Sequence, residues 1–218
     1  MDSEKKDSIA GFELGYGMNF DCTEDGCPEL QFKIMAFDGK TDYVGSYIGS
    51  GQPYGSVKST TKNTLYDVSL DMIQNVENKG VDIIYGVGIG FHSWYRELSS
   101  YQNELYSWFY ITPIIGVSKE ISDGFNVGTS LKYKYAIDPK MVANTIDEDF
   151  ELGGVNTFEV SVPLTYSINE EIDVFAAYTY AQQKIKKSDY VLQGAYLYYE
   201  PKSTDNQQYV KVGVTFNY

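Results

Sequence analysis

The feature that most limits the possible folds of this chain is a period-two alternation of bulky with small or polar residues, repeated along most of its length. In the segment 81–91, Val, Ile, Tyr or Phe occupies every second position, and mostly Gly or Asp lies between them. Successive side chains of a β-strand point to opposite faces, whereas a helix repeats every 3.6 residues. Glycines at alternate positions would also destabilise a helix. The alternation therefore predicts an all-β fold.

Eight segments carry this alternation strongly, and a ninth carries it clearly. Counted by their bulky residues, the eight run over 12–20, 66–72, 81–91, 109–117, 125–133, 158–166, 172–180 and 210–218, and the ninth runs over 30–36. A tenth, glycine-rich strand is predicted from about residue 42 to residue 50. Eight strands would leave a connection of roughly forty residues after the first one, which is unusual in a compact domain. The predicted number is eight to ten, and we favour ten.

The predicted connections differ in length at the two ends of the strands. Short turns are predicted at 75–80, 119–124 and 169–171, and residues 38–40, with the sequence Asp-Gly-Lys, form a further short turn in the ten-strand interpretation. Long connections are predicted at about 138–156 and 184–206. Short periplasmic turns and long extracellular loops are typical of an outer-membrane β-barrel.

Alternation alone does not tell which face of the sheet is buried, because a soluble lipocalin-like barrel keeps its bulky face inside. Here the polar face is rich in Gly, Ser and Thr and carries charges of both signs, as expected of a packed interior with ion pairs. The bulky face places Tyr or Phe near strand ends and Val, Ile or Leu between them. That order is typical of aromatic girdles around a lipid-facing belt, and it gives a role to the 21 tyrosines.

We therefore predict a transmembrane antiparallel up-and-down β-barrel in which residues 1–218 form one domain. Residues 1–8 are charged and lack an apolar stretch, so any secretory signal is expected to have been removed, leaving a periplasmic N-terminal segment. Charges inside the barrel need partners, because an unpaired buried charge is costly. The candidates for this interior network are Glu13, Asp67, Asp71, Asp82, His92, Arg96, Lys132, Lys134, Glu159 and Lys211.

His92 is the only histidine, and the next residue is Ser93. Neighbours in a strand point to opposite faces, which argues against a His-Ser dyad within this strand and leaves a partner from another strand open. We expect His92 to be a hydrogen-bonding residue of the interior or rim, and no catalytic residues are predicted. Arg96 is expected to pair with an interior carboxylate, such as Asp67, Asp71 or Glu159.

The C-terminal residues 211–218 read Lys-Val-Gly-Val-Thr-Phe-Asn-Tyr. Their polar, glycine, hydrophobic and terminal aromatic positions (Lys211, Gly213, Phe216 and Tyr218) resemble the C-terminal assembly signal of bacterial outer-membrane proteins. With the Pro-containing segment 112–117, a short turn and the Tyr-x-Tyr of 131–135, the chain resembles the small opacity-like and OmpA- or OmpX-like barrels. The resemblance implies the cell outer membrane as location, recognition by the barrel-assembly machinery, and contact with membrane lipids and lipopolysaccharide.

Charge and cysteine content exclude other classes of function. A net charge of -13 argues against nucleic acid, whose phosphates would repel the chain. Cys22 and Cys27 lack zinc-site spacing, and a disulfide closing a hairpin tip is the favoured interpretation, suited to an oxidising compartment. The acidic run at 147–151 is interpreted as a solvated surface rather than a metal site. No cofactor or metal is predicted.

Three functional hypotheses follow. The first is a structural or surface-interaction barrel, not an enzyme, whose loops could bind an extracellular ligand or act as a surface antigen. The second is a narrow, porin-like channel for small solutes, and the third is a barrel-embedded hydrolase acting on lipid A or peptides. The face assignment also predicts that Val87→Arg would be costly and Gly88→Ser much milder.

Overall fold

The computed structural model describes residues 8–21, 26–45, 51–53, 55–146 and 148–216, and within them the fold is all-β. No helix among the described residues is long and apolar enough to cross a membrane. The strands are β1 (Ser8–Asn19), β2 (Cys27–Gly45), β3 (Val57–Asn78), β4 (Val81–Glu97), β5 (Asn103–Ser122), β6 (Phe125–Ala143), β7 (Phe150–Glu151), β8 (Val155–Ser167), β9 (Ile172–Ile185), β10 (Val191–Gln193), β11 (Tyr196–Tyr198) and β12 (Ser203–Phe216).

The main sheet is antiparallel, up-and-down and ten-stranded. Its order is β1-β2-β3-β4-β5-β6-β8-β9-β12, and the two-residue strand β7 pairs beside β6. β10 and β11 form a separate small hairpin within the connection between β9 and β12. The predicted all-β, antiparallel architecture of about ten strands is confirmed. No backbone ladder joins β1 to β12 in the part of the chain that the structure describes.

The tenth strand predicted at 42–50 is wrong as a separate element. Residues 42–45 are the end of β2, and residues 46–50 lie outside the described part. The predicted turn at 38–40 is also wrong, because Gly39 pairs with Ile9 on one side and Asn63 on the other. Pairing along both edges holds this Asp-Gly segment extended, although its sequence favours a turn.

The two ends of the sheet differ as predicted. One end, called here the short-turn end, carries connections at residues 79–80, 123–124 and 168–171. The other, the long-connection end, carries connections at 98–102, 144–154 and 186–202, of which the last two are the longest. β12 ends at the short-turn end, whereas Ser8 begins β1 at the long-connection end. The rest of the predicted periplasmic segment, residues 1–7, lies outside the described residues.

The long connections are folded against each other. Backbone hydrogen bonds join them from Gly153 to the carbonyl of Lys187 at 3.0 Å and from Lys186 to the carbonyl of Gly154 at 2.9 Å. Their apolar side chains enter a buried cluster with the ends of β5, β6 and β9. The members of this cluster are Tyr106, Trp108, Tyr110, Ala136, Met141, Ala143, Ile146, Phe150, Leu152, Val155 and Ile185.

The sheet curls so that its polar face becomes an interior. Lys132 of β6 reaches Asp71 of β3 at 2.7 Å, although β4 and β5 separate these strands. Lys211 of β12 likewise reaches Glu13 of β1 at 2.9 Å, although these are the two edge strands of the sheet. The bulky face points away from this interior and is largely exposed.

Candidate functional site in the sheet interior

A row of glycines on β4 makes room for the charged groups of the interior. A Cβ atom on Gly88 would collide with Oδ1 of Asp71, and one on Gly90 would collide with the ring of Tyr110. Side chains from β3 and β5 occupy the space above these glycines. A side chain at Gly88 would therefore displace the buried carboxylate of Asp71, a cost of Gly88→Ser that the sequence did not indicate, and the predicted order of Val87→Arg and Gly88→Ser stays a prediction.

Asp67 is the centre of the first interior cluster, and three groups converge on its carboxylate. His92 lies directly opposite on β4, with Nδ1 3.0 Å from Oδ2. The hydroxyl of Tyr110 donates to Oδ1 at 2.6 Å, and Nζ of Lys134 donates to Oδ2 at 3.3 Å. These contacts place His92 in the interior with a partner from another strand, the alternative left open by the sequence.

Asp71 forms the second cluster, one step toward the short-turn end. Lys132 donates to its Oδ2 at 2.7 Å, and Nζ of Lys33 lies 4.0 Å from the same oxygen. Lys33 also donates to the side-chain oxygen of Gln31 at 2.6 Å. Asp71 is 1% exposed, so these cations provide the neutralisation that its burial requires.

Arg96 lies toward the long-connection end, and it pairs with an interior carboxylate as predicted, although with Glu104 rather than with one of the examples named from the sequence. Its Nη1 donates to Glu104 at 3.2 Å and to the hydroxyl of Tyr106 at 3.1 Å. Glu104 lies directly opposite Arg96 on β5, beyond the segment predicted as strand. Asp67 and Asp71, two of those examples, are instead neutralised by the lysines of β6.

A carboxylate from the connection 186–202 completes the Arg96 cluster. The hydroxyl of Tyr106 donates to Glu200 at 2.8 Å, and Ser188 and Glu200 are joined by hydrogen bonds of 3.0 and 2.8 Å. Burial, together with the nearby negative charge of Glu104, raises the pKa of Glu200 to about 7. The cluster therefore joins the connection 186–202 to β5 through the carboxyl group of Glu200, whose raised pKa lies near neutral pH.

Of the remaining candidates, Glu13, Lys211 and Asp82 lie outside these three clusters, and Glu159 lies between them. Glu13 and Lys211 pair with each other across the two edge strands. Asp82 lies at the short-turn end, where it accepts a hydrogen bond from Ser118 at 3.3 Å. Glu159 lines the interior between the clusters. No group of three His, Cys, Asp or Glu side chains suited to a metal ion occurs among the described residues.

Two of the cavities that the described residues form follow one another along the interior. The larger, of about 510 Å³, is toward the long-connection end and is called here the upper cavity. The smaller, of about 120 Å³, is toward the short-turn end around Asp71 and Lys132. Both are lined by Asp67, Lys134 and Glu159, so the Asp67 cluster lies between them.

Two further sets of predicted residues concern the chain ends and the cysteines. In the proposed assembly signal, Lys211 and Gly213 are half-buried and Phe216 is exposed, while Tyr218 lies outside the described residues. The predicted disulfide also falls outside them, because Cys22 and the side chain of Cys27 are not described.

Sequence reasoning missed several members of the interior clusters. The residues it missed are Lys33, Asn63, Glu104, Tyr106, Tyr110 and Glu200. Three of them, Asn63, Glu104 and Tyr106, lie on the polar face beyond the predicted ends of β3 and β5, and a longer β5 would have placed Glu104 opposite Arg96. Lys33 and Tyr110 lie inside predicted strands. For Glu200, which lies in a connection, the sequence held no such signal.

No protein-family model matches this chain, and no curated protein matches it significantly. Fold and site alone define its class: an all-β, up-and-down antiparallel sheet protein with a bulky outer face and an interior of paired charges.

Proposed function

We propose that this protein is an integral β-barrel of the bacterial outer membrane, whose sheet anchors folded outer connections that serve as an interaction surface. The observation that most directly supports membrane insertion is the exposed apolar face of the sheet. Side chains such as Leu14, Val87 and Val212 are 63%, 52% and 78% exposed, whereas Asp71 is 1% exposed. This inverts the distribution expected in water, where exposed charges and a buried apolar face minimise the free energy. A lipid environment removes the conflict.

Closure of the sheet belongs to the same proposal. Unpaired backbone groups are costly in hydrocarbon, so a sheet in a membrane must have no open edge. The contact between Lys211 and Glu13 supports closure, because it brings the edge strands within side-chain reach.

The connection 186–202 supports the interaction role. Its hairpin β10–β11 exposes three large apolar side chains, those of Leu192, Tyr196 and Leu197, each at least 65% accessible. The hairpin projects from a connection that is hydrogen-bonded to its neighbour. An exposed apolar group on an ordered support is suited to contact with an extracellular partner or with lipopolysaccharide.

Cell fractionation with heat-dependent gel mobility tests the location. We expect the protein in the outer-membrane fraction, with faster migration before heating than after. A protein that remains monodisperse in detergent-free buffer would contradict the proposal.

A pair of arginine substitutions tests which solvent the bulky face contacts. Val87 lies mid-strand on β4 and Val142 lies next to the end of β6, and both are exposed valines of the bulky face. In a bilayer we expect Val87→Arg to reduce the free energy of unfolding by about 2–4 kcal/mol and Val142→Arg by about 0–1 kcal/mol. Unfolding in lipid vesicles measures both. Similar small effects would indicate that water surrounds the sheet.

A narrow channel is the second candidate, favoured by the two cavities that follow one another along the interior. The Asp67 cluster lies between them, so passage of a solute would require its rearrangement. Liposome swelling with small sugars and amino acids tests this. Swelling no faster than in empty liposomes would eliminate the channel.

A hydrolase is favoured only by the contact between His92 and Asp67. The carboxylate orients the imidazole, as in many general bases, but Asp67 also binds Lys134 and Tyr110. Turnover of lipid A or peptides by the wild type, abolished in His92→Ala, would establish this activity. An absence of turnover by the wild type would remove it.

A further inference from the structure

Four residues that line the upper cavity carry covered polar atoms that the described residues leave without partners. Thr61, His92, Arg96 and Gln183 line it, and each carries one buried side-chain nitrogen or oxygen with no hydrogen-bond partner in the described part of the chain. Thr61 is 1% exposed and Gln183 is 6% exposed. Buried polar groups in proteins are almost always hydrogen-bonded, so four such groups around one cavity call for a partner.

The chemistry of these four groups is mixed. Nε of Arg96 and Nε2 of Gln183 can only donate, and the hydroxyl of Thr61 can donate or accept. Because Asp67 is an acceptor, Nδ1 of His92 carries the hydrogen between them, and Nε2 then accepts in the neutral tautomer and donates in the imidazolium. Hydroxyl groups complement such a set, since each can donate and accept.

Rigid aromatic rings form part of the wall. Trp94 donates from Nε1 to Asn63 at 3.0 Å and stacks on Tyr106, and Trp108 stacks on His92 with ring centroids 4.7 Å apart. Ring faces provide apolar area beside the polar groups, which is the usual composition of a small-molecule site. The volume of about 510 Å³ also lies in the range of such sites.

The charges that line the cavity select against an anion. The acidic residues are Asp42, Asp67, Glu159 and Asp205, against the permanent cations Arg96 and Lys134. Both cations already contact carboxylates, Arg96 that of Glu104 and Lys134 that of Asp67. A cation would gain from the acidic excess, but it could not accept hydrogen bonds from Arg96 and Gln183. A neutral ligand rich in hydroxyl groups agrees with both observations.

We propose that the upper cavity binds a neutral, polyhydroxylated ligand of the size of a mono- or disaccharide, with Gln183, Arg96, His92 and Thr61 as polar contacts and Trp94 and Trp108 as walls. Small rotations of these side chains bring their covered polar atoms to the ligand. This site goes beyond the proposed interaction surface, and it does not depend on membrane insertion, because it lies inside the sheet.

Tryptophan fluorescence tests the proposal directly, because the chain contains two tryptophans and both line the cavity. The probes are glucose, galactose, maltose and sucrose, with spermidine as the cationic comparison. The full chain is kept in a detergent without a sugar headgroup, since a maltoside would compete. We expect a saturable fluorescence change with at least one sugar and none with spermidine.

Two neighbouring glutamines provide matched variants. Gln183 faces the cavity, whereas Gln182 lies on the other face of β9 and hydrogen-bonds Asn206. Gln183→Leu should weaken sugar binding about tenfold, the value of one hydrogen bond, and Gln182→Leu should leave it unchanged. If Gln183→Leu does not fold, Thr61→Val removes another polar contact.

Three results would overturn the proposal. The first is no saturable change of tryptophan fluorescence with any of the four sugars, and the second is a saturable change with spermidine instead. The third is an equal loss of sugar affinity in Gln182→Leu and Gln183→Leu. None of these bears on the membrane location, which the fractionation experiment tests separately.

Discussion

The two halves of the sheet interior, toward the short-turn end and toward the long-connection end, differ in how their side chains fill the space. Toward the short-turn end, Asp71 and its lysines fill the space with paired charges and leave about 120 Å³. Toward the long-connection end, aromatic and amide side chains surround about 510 Å³, and the folded connections pack beside it. Both halves contain ion pairs, but those around Asp71 fill most of the space at the short-turn end, whereas the pair of Arg96 with Glu104 lies beside a larger open volume.

The largest expected effect comes from breaking the charge-filled half. Asp71→Asn keeps the shape of the side chain but leaves Lys132 and Lys33 without their shared carboxylate. We expect the free energy of unfolding to fall by about 3–5 kcal/mol, because buried cations lose their counter-charge. Asp138→Asn, at an exposed ion pair with Lys140, is the control and should change it by less than about 0.5 kcal/mol. Denaturant unfolding measures both, and equal effects would contradict the comparison.

The boundary between the halves is tested by adding one carbon to a glycine. In Gly90→Ala the new Cβ would collide with Tyr110 and would lie 2.6 Å from the carbonyl oxygen of Val68. We expect a loss of about 1–3 kcal/mol from overpacking. Gly15→Ala is the matched control, since its nearest atoms would be 3.6 Å away. A tolerated Gly90→Ala would show that the ring of Tyr110 is free to move.

The smallest expected effect concerns pH and the long-connection half. The pKa of Glu200 is raised to about 7 by burial and by Glu104, with Arg96 and Tyr106 also facing it. A raised carboxyl pKa means that the folded state favours the protonated form. Its stabilisation is therefore complete below pH ~4.5 and is lost as the pH rises through about 7.

Amide exchange in the connection 186–202 measures this dependence. Exchange should quicken between pH 5 and pH 8 beyond its intrinsic rise, and Glu200→Gln should abolish the excess while keeping an acceptor for Tyr106. Glu97→Gln, at an exposed acid on the same end, should leave the excess unchanged. An excess that persists in Glu200→Gln would assign the titration to another group.

The sequence predicted the parts of the fold that depend on local pattern. Alternation defined the strands and separated their two faces, because side-chain direction in a strand depends only on position. The small and charged residues of the polar face then indicated that it is the inward one. The ends of the strands were harder to predict. β3 begins at Val57, nine residues before the predicted segment. Polar residues there continue the pairing with β2 but do not show the alternation with bulky residues. Asp38-Gly39 was mistaken for a turn because the partners on both sides are distant in sequence.

The interior site could be predicted only in part. Its residue types followed from charge on the inward face, but its partners depend on register and curvature. Asp67 meets His92 because strands β3 and β4 pair in that register. Lys134 reaches Asp67 across two intervening strands only because the sheet curls and glycines on β4 leave space. No local pattern encodes such distances.

The nine long strands in the described part of the chain are an odd number, so β1 and β12 run in the same direction. If these edges bond directly, their hydrogen bonds are slanted and individually weaker than those of every other pair in the sheet. An intervening strand would instead run opposite to both. Since no backbone ladder joins these edges in the described part of the chain, force or denaturant is expected to separate the sheet first between β1 and β12.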